Sequence, residues 1–185
     1  MSKIKSICVF CASSPDASQA HLDLATELGE KIGQDGISLV FGGASIGLMG
    51  SVARGAKKAG GKVVAIFPKI FLGKDIDFVD ADEFIVTDDL RERKMLMEQK
   101  SDAFIALPGG IGTLDEIAEM LTLIQLKQIT KPIVLLNFQS YFTHLIRFFE
   151  SVVQQKLAKE KFLNSYYLAK DNDEAMKFIT DYPIH

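Results

Sequence analysis

The chain has 185 residues, 48% hydrophobic and 24% charged, which excludes a disordered tail, a collagen and a coiled-coil rod. At about 150 residues per domain, this length predicts one domain over residues 1–185. The net charge of -3 argues against a partner that is nucleic acid or an anionic membrane. Because the sequence has neither an apolar run of about 18 residues nor a signal-peptide pattern, we expect a cytoplasmic protein.

Short apolar segments alternate with amphipathic segments along the whole chain. Strands are predicted at 4–10, 37–41, 62–67, 83–86, 103–107, 133–137 and 166–169. Helices are predicted at 17–34, 46–59, 88–100, 113–128, 141–156 and from about 173. The strands are rich in Val, Ile and Phe and do not alternate with polar residues. They therefore predict an α/β fold with a doubly wound, Rossmann-like parallel sheet and helices on both faces.

Cys8 and Cys11 have the C-x-x-C spacing of redox pairs and of half a zinc site. Both lie in or at the end of a predicted strand, where an offset of three residues places side chains on opposite faces. The chain has no other cysteine. We therefore predict that these residues are structural and bind no metal.

Half of the 14 glycines lie in two clusters, each between a buried strand and a helix. The clusters are Gly42, Gly43, Gly47 and Gly50, and Gly109, Gly110 and Gly112. In a parallel sheet both loops leave the carboxyl edge, where backbone N–H groups at a helix start bind anions. Tight turns also require glycine, so either cluster alone leaves both interpretations open. Together they favour a ligand that carries a phosphate.

Neither cluster matches a common phosphate fingerprint. The first has Leu48 and Met49 where a P-loop requires lysine and a hydroxyl residue. The second has Asp115 where the dinucleotide fingerprint requires its third glycine. ATP hydrolysis of the usual type and hydride transfer are therefore disfavoured.

Residues 108–116, Pro-Gly-Gly-Ile-Gly-Thr-Leu-Asp-Glu, resemble the PGGxGTxxE signature of the LOG (lonely guy) family, nucleoside monophosphate phosphoribohydrolases that are often described as lysine decarboxylases. The similarity extends to 10–14, 41–50, 93–94, 125–126 and 131–132. Departures from the family pattern are Ala12, Ala44, Arg91, Asp115 and Leu123. The resemblance implies a nucleotide-binding domain that hydrolyses the bond between an adenine-type base and ribose 5-phosphate, in AMP or cytokinin riboside 5'-monophosphates, without metal or cofactor.

The resemblance also implies which residues form the site. It assigns catalysis to Arg93 and Glu116, and substrate binding to Lys94, Gly109, Gly110, Gly112, Thr113, Thr122, Ser14, Gly43 and Ser45. Glu116 would stabilise positive charge on the sugar and activate water. The same residues allow a plainer interpretation, because Thr113-x-x-Glu116 is also a capping box at a helix start.

The charged helix around Arg93 has a structural interpretation as well. Asp89 with Arg93, and Lys94 with Glu98, have the i,i+4 spacing of solvated salt bridges. The resemblance instead makes Arg93 a ligand for the phosphate or ribose, and it gives Asp75 a weak match to a substrate-binding glutamate.

Two further function classes compete with the hydrolase. A carrier of nucleotides or phosphorylated cofactors would share the fold and the glycine loops but would not need the carboxylate and arginine. A decarboxylase would require pyridoxal phosphate bound through a lysine, and no lysine here lies in a recognisable cofactor motif. The family resemblance also implies a homodimer or higher homo-oligomer. The apolar residues Leu121, Leu123, Ile124 and Leu126 fit such an interface or burial within one chain equally well.

Overall fold

The computed structural model describes residues 4–183, which form seven strands and six helices. The strands are β1 Ser6–Phe10, β2 Ser38–Phe41, β3 Val63–Pro68, β4 Glu83–Thr87, β5 Ala103–Ala106, β6 Ile133–Leu136 and β7 Tyr167–Ala169. The helices are α1 Gln19–Gln34, α2 Gly47–Lys58, α3 Leu90–Gln99, α4 Ile111–Gln125, α5 Thr143–Gln154 and α6 Asn172–Asp181. Every predicted strand and helix is present. Within residues 4–183 no helix combines the length and apolar character needed to cross a bilayer.

The strands form one sheet in the order β4-β3-β2-β1-β5-β6-β7, and each adjacent pair is parallel. One core layer contains buried residues of α1, α2 and α6, and the other contains buried residues of α3, α4 and α5. The predicted fold class is therefore confirmed. The strand order reverses between β1 and β5, and in open α/β sheets ligands bind outside the carboxyl ends at such a point.

Helices α1 and α2 pack with their backbones in contact. A Cβ atom added at Gly29 would lie 2.1 Å from the carbonyl oxygen of Val52, and one at Gly55 would lie 2.2 Å from that of Thr26. No side chain fits at either position. This close contact fixes α2, whose first turn borders the loop that follows β2.

Cys8 and Cys11 are both buried and both free. They belong to opposite core layers, as the strand periodicity predicts. Burial, the largest contribution, raises the pKa of both thiols above the ordinary thiol value. Their burial in opposite core layers is what the structural interpretation of the C-x-x-C spacing predicts. That these residues bind no metal stays a prediction.

We predict that Gly29→Ala destabilises the fold although alanine favours helix by about 1 kcal/mol. The new methyl group collides with backbone, and overpacking of this kind costs about 3 kcal/mol, so the free energy of unfolding should fall by about 2 kcal/mol in urea titrations. Gly112→Ala is the matched control, because a Cβ atom there meets no other atom within 4 Å. Equal stability of the two variants would contradict the close packing of α1 on α2.

Candidate active site

A cavity of about 500 Å³ opens at the carboxyl edge of the sheet, beside the reversal between β1 and β5. It is bounded by the segments that follow β1, β2, β3 and β5 and by the inner face of α3 and α4. Its polar side consists of Ser14, Arg93, Gly110, Gly112, Thr113 and Glu116. Its apolar side includes Met49, Phe67, Phe71, Ile76 and Leu90. The volume is in the range of pockets that bind small molecules.

Glu116 reaches the cavity because it lies on the buried stripe of α4. The buried residues of this helix are Thr113, Glu116, Ile117, Met120 and Leu121, at the spacing of one helical face. Ile117, Met120 and Leu121 pack into the core. Thr113 and Glu116 lie at the other end of the stripe, near the helix start, and line the cavity.

Arg93 is positioned in the same way by α3. The helix begins after Asp89, whose carboxylate accepts hydrogen bonds from the backbone N–H groups of Arg91 at 2.7 Å and Glu92 at 2.9 Å. Its buried residues are Arg93 and Met97, one turn apart. Met97 packs into the core, so the same face directs Arg93 inward at the carboxyl edge.

Arg93 and Glu116 form a buried ion pair. Arg93 Nη1 donates to Glu116 Oε1 at 3.0 Å, and the residues are only 9% and 3% exposed. Arg93 Nε and Glu116 Oε2 are buried and have no hydrogen-bond partner among the described residues. Burial raises the pKa of Glu116 to about 7, against the lowering effect of the Arg93 guanidinium. Perturbed titration and unused hydrogen-bonding atoms at a cavity mark a functional site.

Gly42 makes room for the guanidinium. A Cβ atom added there would lie 2.0 Å from Arg93 Nη2, so any larger residue would displace the arginine. The glycine cluster after β2 therefore has a positional role in the ion pair.

The start of α4 faces the cavity without a side-chain cap. Gly110 is the N-cap and no side chain bonds to the first turn, while Cβ atoms at Gly110 and Gly112 would meet nothing within 4 Å. Free backbone N–H groups at a helix N-terminus bind anions. The capping-box interpretation is wrong, because Thr113 lies inside the helix and Glu116 pairs with Arg93.

The interpretation of α3 as a solvated salt-bridged helix is also wrong for the two pairs that its spacing suggests. Asp89 caps the helix while Arg93 pairs with Glu116. Lys94 pairs with Asp115 at 2.9 Å and with Glu119. The side chains of Arg93 and Lys94 therefore join α3 to α4 and do not form ion pairs along the surface of α3.

Gly43, Ser45 and Gly109, which the resemblance also assigns to substrate binding, are not among the residues that line the cavity, but each contacts a neighbouring segment. Gly109 lies against Thr113, since a Cβ atom there would be 2.1 Å from Thr113 Oγ1. Gly43, at φ +80°, accepts a hydrogen bond from the N–H of Phe78 at 2.9 Å. The N–H of Ser45 donates to the carbonyl of Ile76 at 2.7 Å.

Two of the assigned residues lie away from the cavity. Lys94 points to the acidic side of α4, where Asp115 and Glu119 hold it. Thr122 is exposed, and its hydroxyl donates to the carbonyl of Ala118 at 2.7 Å. Asp75 is exposed too and is not among the residues that line the cavity. Direct substrate contact by these residues has no support within one copy of the chain.

Sequence analysis missed the apolar side of the cavity. Phe67 and Phe71 lie 6.3 Å apart between ring centroids, and Leu90, the first residue of α3, completes this side with Ile76. These residues come from separate segments with no shared periodicity. The only signal was that the apolar run of β3 continues to the edge of the sheet.

The lining of the cavity also bears on cofactor chemistry. It contains no lysine among the residues the structure describes, whereas pyridoxal phosphate is bound through a lysine Schiff base. No group of three or more His, Cys, Asp or Glu side chains in residues 4–183 is arranged to hold a metal ion. The residues at this site do not fit the decarboxylase cofactor.

Comparison with known proteins adds independent findings. Residues 49–179 match the family model described as "Possible lysine decarboxylase". Two Arabidopsis thaliana proteins named cytokinin riboside 5'-monophosphate phosphoribohydrolase, LOG1 and LOG5, are 38% and 37% identical over 98% of this chain, which is 85% and 79% of theirs. The structure of the molybdenum cofactor carrier protein of Chlamydomonas reinhardtii matches with a TM-score of 0.74 and 27% identity, over 95% of each chain.

The Arabidopsis relatives make the protein a hydrolase. Its fold is a doubly wound, Rossmann-like parallel sheet, with a buried glutamate and arginine where the strand order reverses. The chain belongs to the LOG family, which confirms the resemblance of residues 108–116.

We predict that Gly42→Ala separates the ion pair, because the methyl group takes the place of Arg93 Nη2. The displaced guanidinium is the flexible end of its side chain, so the expected cost is that of one hydrogen bond between charged groups, about 2 kcal/mol of the free energy of unfolding. A crystal structure of the variant should show more than 4 Å between Arg93 and Glu116. Gly110→Ala serves as the control, since its Cβ atom enters open space; an intact pair in Gly42→Ala would contradict the steric argument.

We predict that burial of Glu116 makes the fold less stable as pH rises. The folded pKa is about 7 and the ordinary value is 4.5, so between these pH values the unfolded chain has lost a proton that the folded chain retains. From pH 5 to pH 8 the free energy of unfolding of the native protein should therefore fall by about 3 kcal/mol relative to Glu116→Gln. Urea titrations across this range measure the difference; parallel profiles would show an unperturbed Glu116.

Proposed function

We propose that this protein hydrolyses the N-glycosidic bond of adenine-type nucleoside 5'-monophosphates, cytokinin riboside 5'-monophosphates and AMP, to free base and ribose 5-phosphate. The observation that carries the proposal is the buried Arg93 and Glu116 pair, whose Nε and Oε2 atoms have no partner among the described residues and which lies beside the uncapped start of α4. The names of the Arabidopsis relatives support it.

Different parts of the cavity match the phosphate, the ribose and the base of such a substrate. The phosphate binds the backbone N–H groups at the start of α4, where Gly110 and Gly112 leave open space, with Thr113 and Ser14 beside it. The ribose then lies over the ion pair. The adenine packs against Phe67 and Phe71, which are on the apolar side. Binding energy from the phosphate orients the sugar, so nucleosides should react poorly.

Hydrolysis places one water molecule across the bond between C1' of the ribose and the base nitrogen. As this bond breaks, its electron pair leaves with the base and positive charge develops on the sugar. The Glu116 carboxylate stabilises that charge and takes a proton from the water as the oxygen bonds to C1'. The departing base gains one proton from solvent and Glu116 later releases the proton that it took, so the net change is the addition of one water molecule. Arg93 keeps Glu116 oriented and supplies Nε to the ribose or phosphate.

We also propose the homodimer that the family resemblance implies, with the two copies associated through α4. On this helix Ile111 is 82% and Leu114 38% exposed, and Leu126, directly after its last residue, is 61% exposed. A second copy would cover these side chains. Leu121 is buried within one chain, and Leu123 and Ile124 pack partly against its core, so they contribute less. Cytoplasmic location stays a prediction.

The test is release of base and ribose 5-phosphate from AMP, N6-prenyl AMP, adenosine and CMP, followed by chromatography without added metal. The adenine monophosphates alone should react. Glu116→Gln should lower kcat about a thousandfold, as loss of a general base does. Glu119→Gln is the matched control, because it also removes one carboxylate charge from α4, one turn beyond Glu116. Glu119 pairs with Lys94 and does not line the cavity.

The carrier function is the second candidate, and the likeness to the molybdenum cofactor carrier protein favours it. Tight binding of AMP without release of adenine would establish the carrier and reject the hydrolase. Equal turnover by Glu116→Gln and the native protein would reject the assigned mechanism.

A further inference from the structure

The chain makes an unusual turn directly after β6. Gln139 at φ 50° and Ser140 at φ 63° are consecutive non-glycine residues in the left-handed region, which L-residues adopt at an energetic cost. Such strain persists only where the surroundings determine it, and it concentrates at functional sites. The turn places the next residue, Tyr141, against the loop between β5 and α4.

The surrounding contacts hold this turn firmly. Asn137 Oδ1 accepts a hydrogen bond from the N–H of Phe142 at 2.7 Å, and the carbonyl of Asn137 accepts one from the N–H of Ser140 at 3.1 Å. The Tyr141 ring lies edge-on to Phe142 at 5.2 Å and to His21 at 6.4 Å between centroids. Phe142 itself is buried. The tyrosine therefore has a fixed position although its ring is 47% exposed.

The hydroxyl of Tyr141 forms one hydrogen bond with the loop between β5 and α4. It donates to the carbonyl oxygen of Gly109 at 2.7 Å. In a trans peptide the carbonyl and the following N–H point in opposite directions, so this bond sets the plane of the Gly109–Gly110 peptide and the direction of the Gly110 N–H. A carbonyl that accepts a hydrogen bond also makes its amide a stronger donor. Gly110 is the N-cap of α4 and lines the cavity.

We infer that Tyr141 is a positioning residue for the phosphate end of the site. Through the Gly109 carbonyl it holds the first peptide of the α4 start in the orientation that meets an anion, and it takes no part in breaking the glycosidic bond. The expected effect on KM for AMP rests on the proposed function. The expected effect on the affinity for ribose 5-phosphate does not depend on turnover.

The experiment compares the native protein with Tyr141→Phe, which removes only the hydroxyl. Loss of one hydrogen bond corresponds to about a fivefold effect, so KM for AMP and Kd for ribose 5-phosphate should each rise about fivefold. The kcat for AMP and the Kd for adenine should stay unchanged. Tyr182→Phe is the matched control, because its hydroxyl also faces a backbone carbonyl, that of Thr130 at 3.5 Å, before β6 at the opposite edge of the sheet. Melting temperatures of all three proteins confirm folding.

The possible outcomes distinguish failure of the positioning role from failure of the proposed hydrolase. Turnover by the native protein with unchanged ribose 5-phosphate binding in Tyr141→Phe would overturn the positioning role and leave the hydrolase intact. Weaker binding of both ribose 5-phosphate and adenine in Tyr141→Phe would also overturn the positioning role, since it would show that the whole site is disturbed and not only its phosphate end. No turnover, with ribose 5-phosphate binding still sensitive to the hydroxyl, would reject the hydrolase and keep the positioning role. No binding of ribose 5-phosphate by the native protein would overturn both.

Discussion

The geometry of the candidate site depends on one buried charge pair, Arg93 with Glu116. Removing a carboxylate and a guanidinium from water costs several kcal/mol for each ion, and one hydrogen bond of 3.0 Å offsets only part of that cost. The pair persists because each partner extends from a packed apolar stripe, with Met97 one turn from Arg93 and Met120 one turn from Glu116. Core packing therefore keeps the two charged groups buried, although their removal from water is unfavourable.

The cost of that pair explains the composition of the loops around it. Gly42 has no side chain because the guanidinium occupies that space. The pKa of Glu116, raised to about 7 by burial, is close to the value that suits proton transfer at neutral pH. The open space beside Gly110 keeps the positive end of α4 accessible to an anion. Each of these features lowers the stability of the fold, as residues at functional sites often do.

Strand and helix patterns alone predicted the sheet and its helices, because Val, Ile and Phe runs and helical stripes are local signals. The partners of the charges could not be predicted in that way. The i,i+4 rule considers one helix only, so it paired Lys94 with Glu98, whereas Lys94 bonds to α4 and Glu98 bonds to Lys131. The sequence predicts the start of α4 at residue 113, two residues after the observed start at Ile111, because Gly110 caps the helix without a side chain. No sequence pattern indicates Phe71, because the cavity brings together residues that are distant along the chain.

The place of β1 in the sheet has a consequence for how the protein is made. Of the seven strands β1 is synthesised before the others, yet it lies in the centre of the sheet, where Ile7 pairs with Leu39 on one side and Ala103 on the other. Closing so long a stretch of chain is entropically costly and slow. A ribosome must therefore add every residue from Cys8 to Ala103 before β1 gains its second neighbour. Glu116 is added later still, so the buried pair of Arg93 and Glu116 forms only after β5 and the start of α4 have been synthesised.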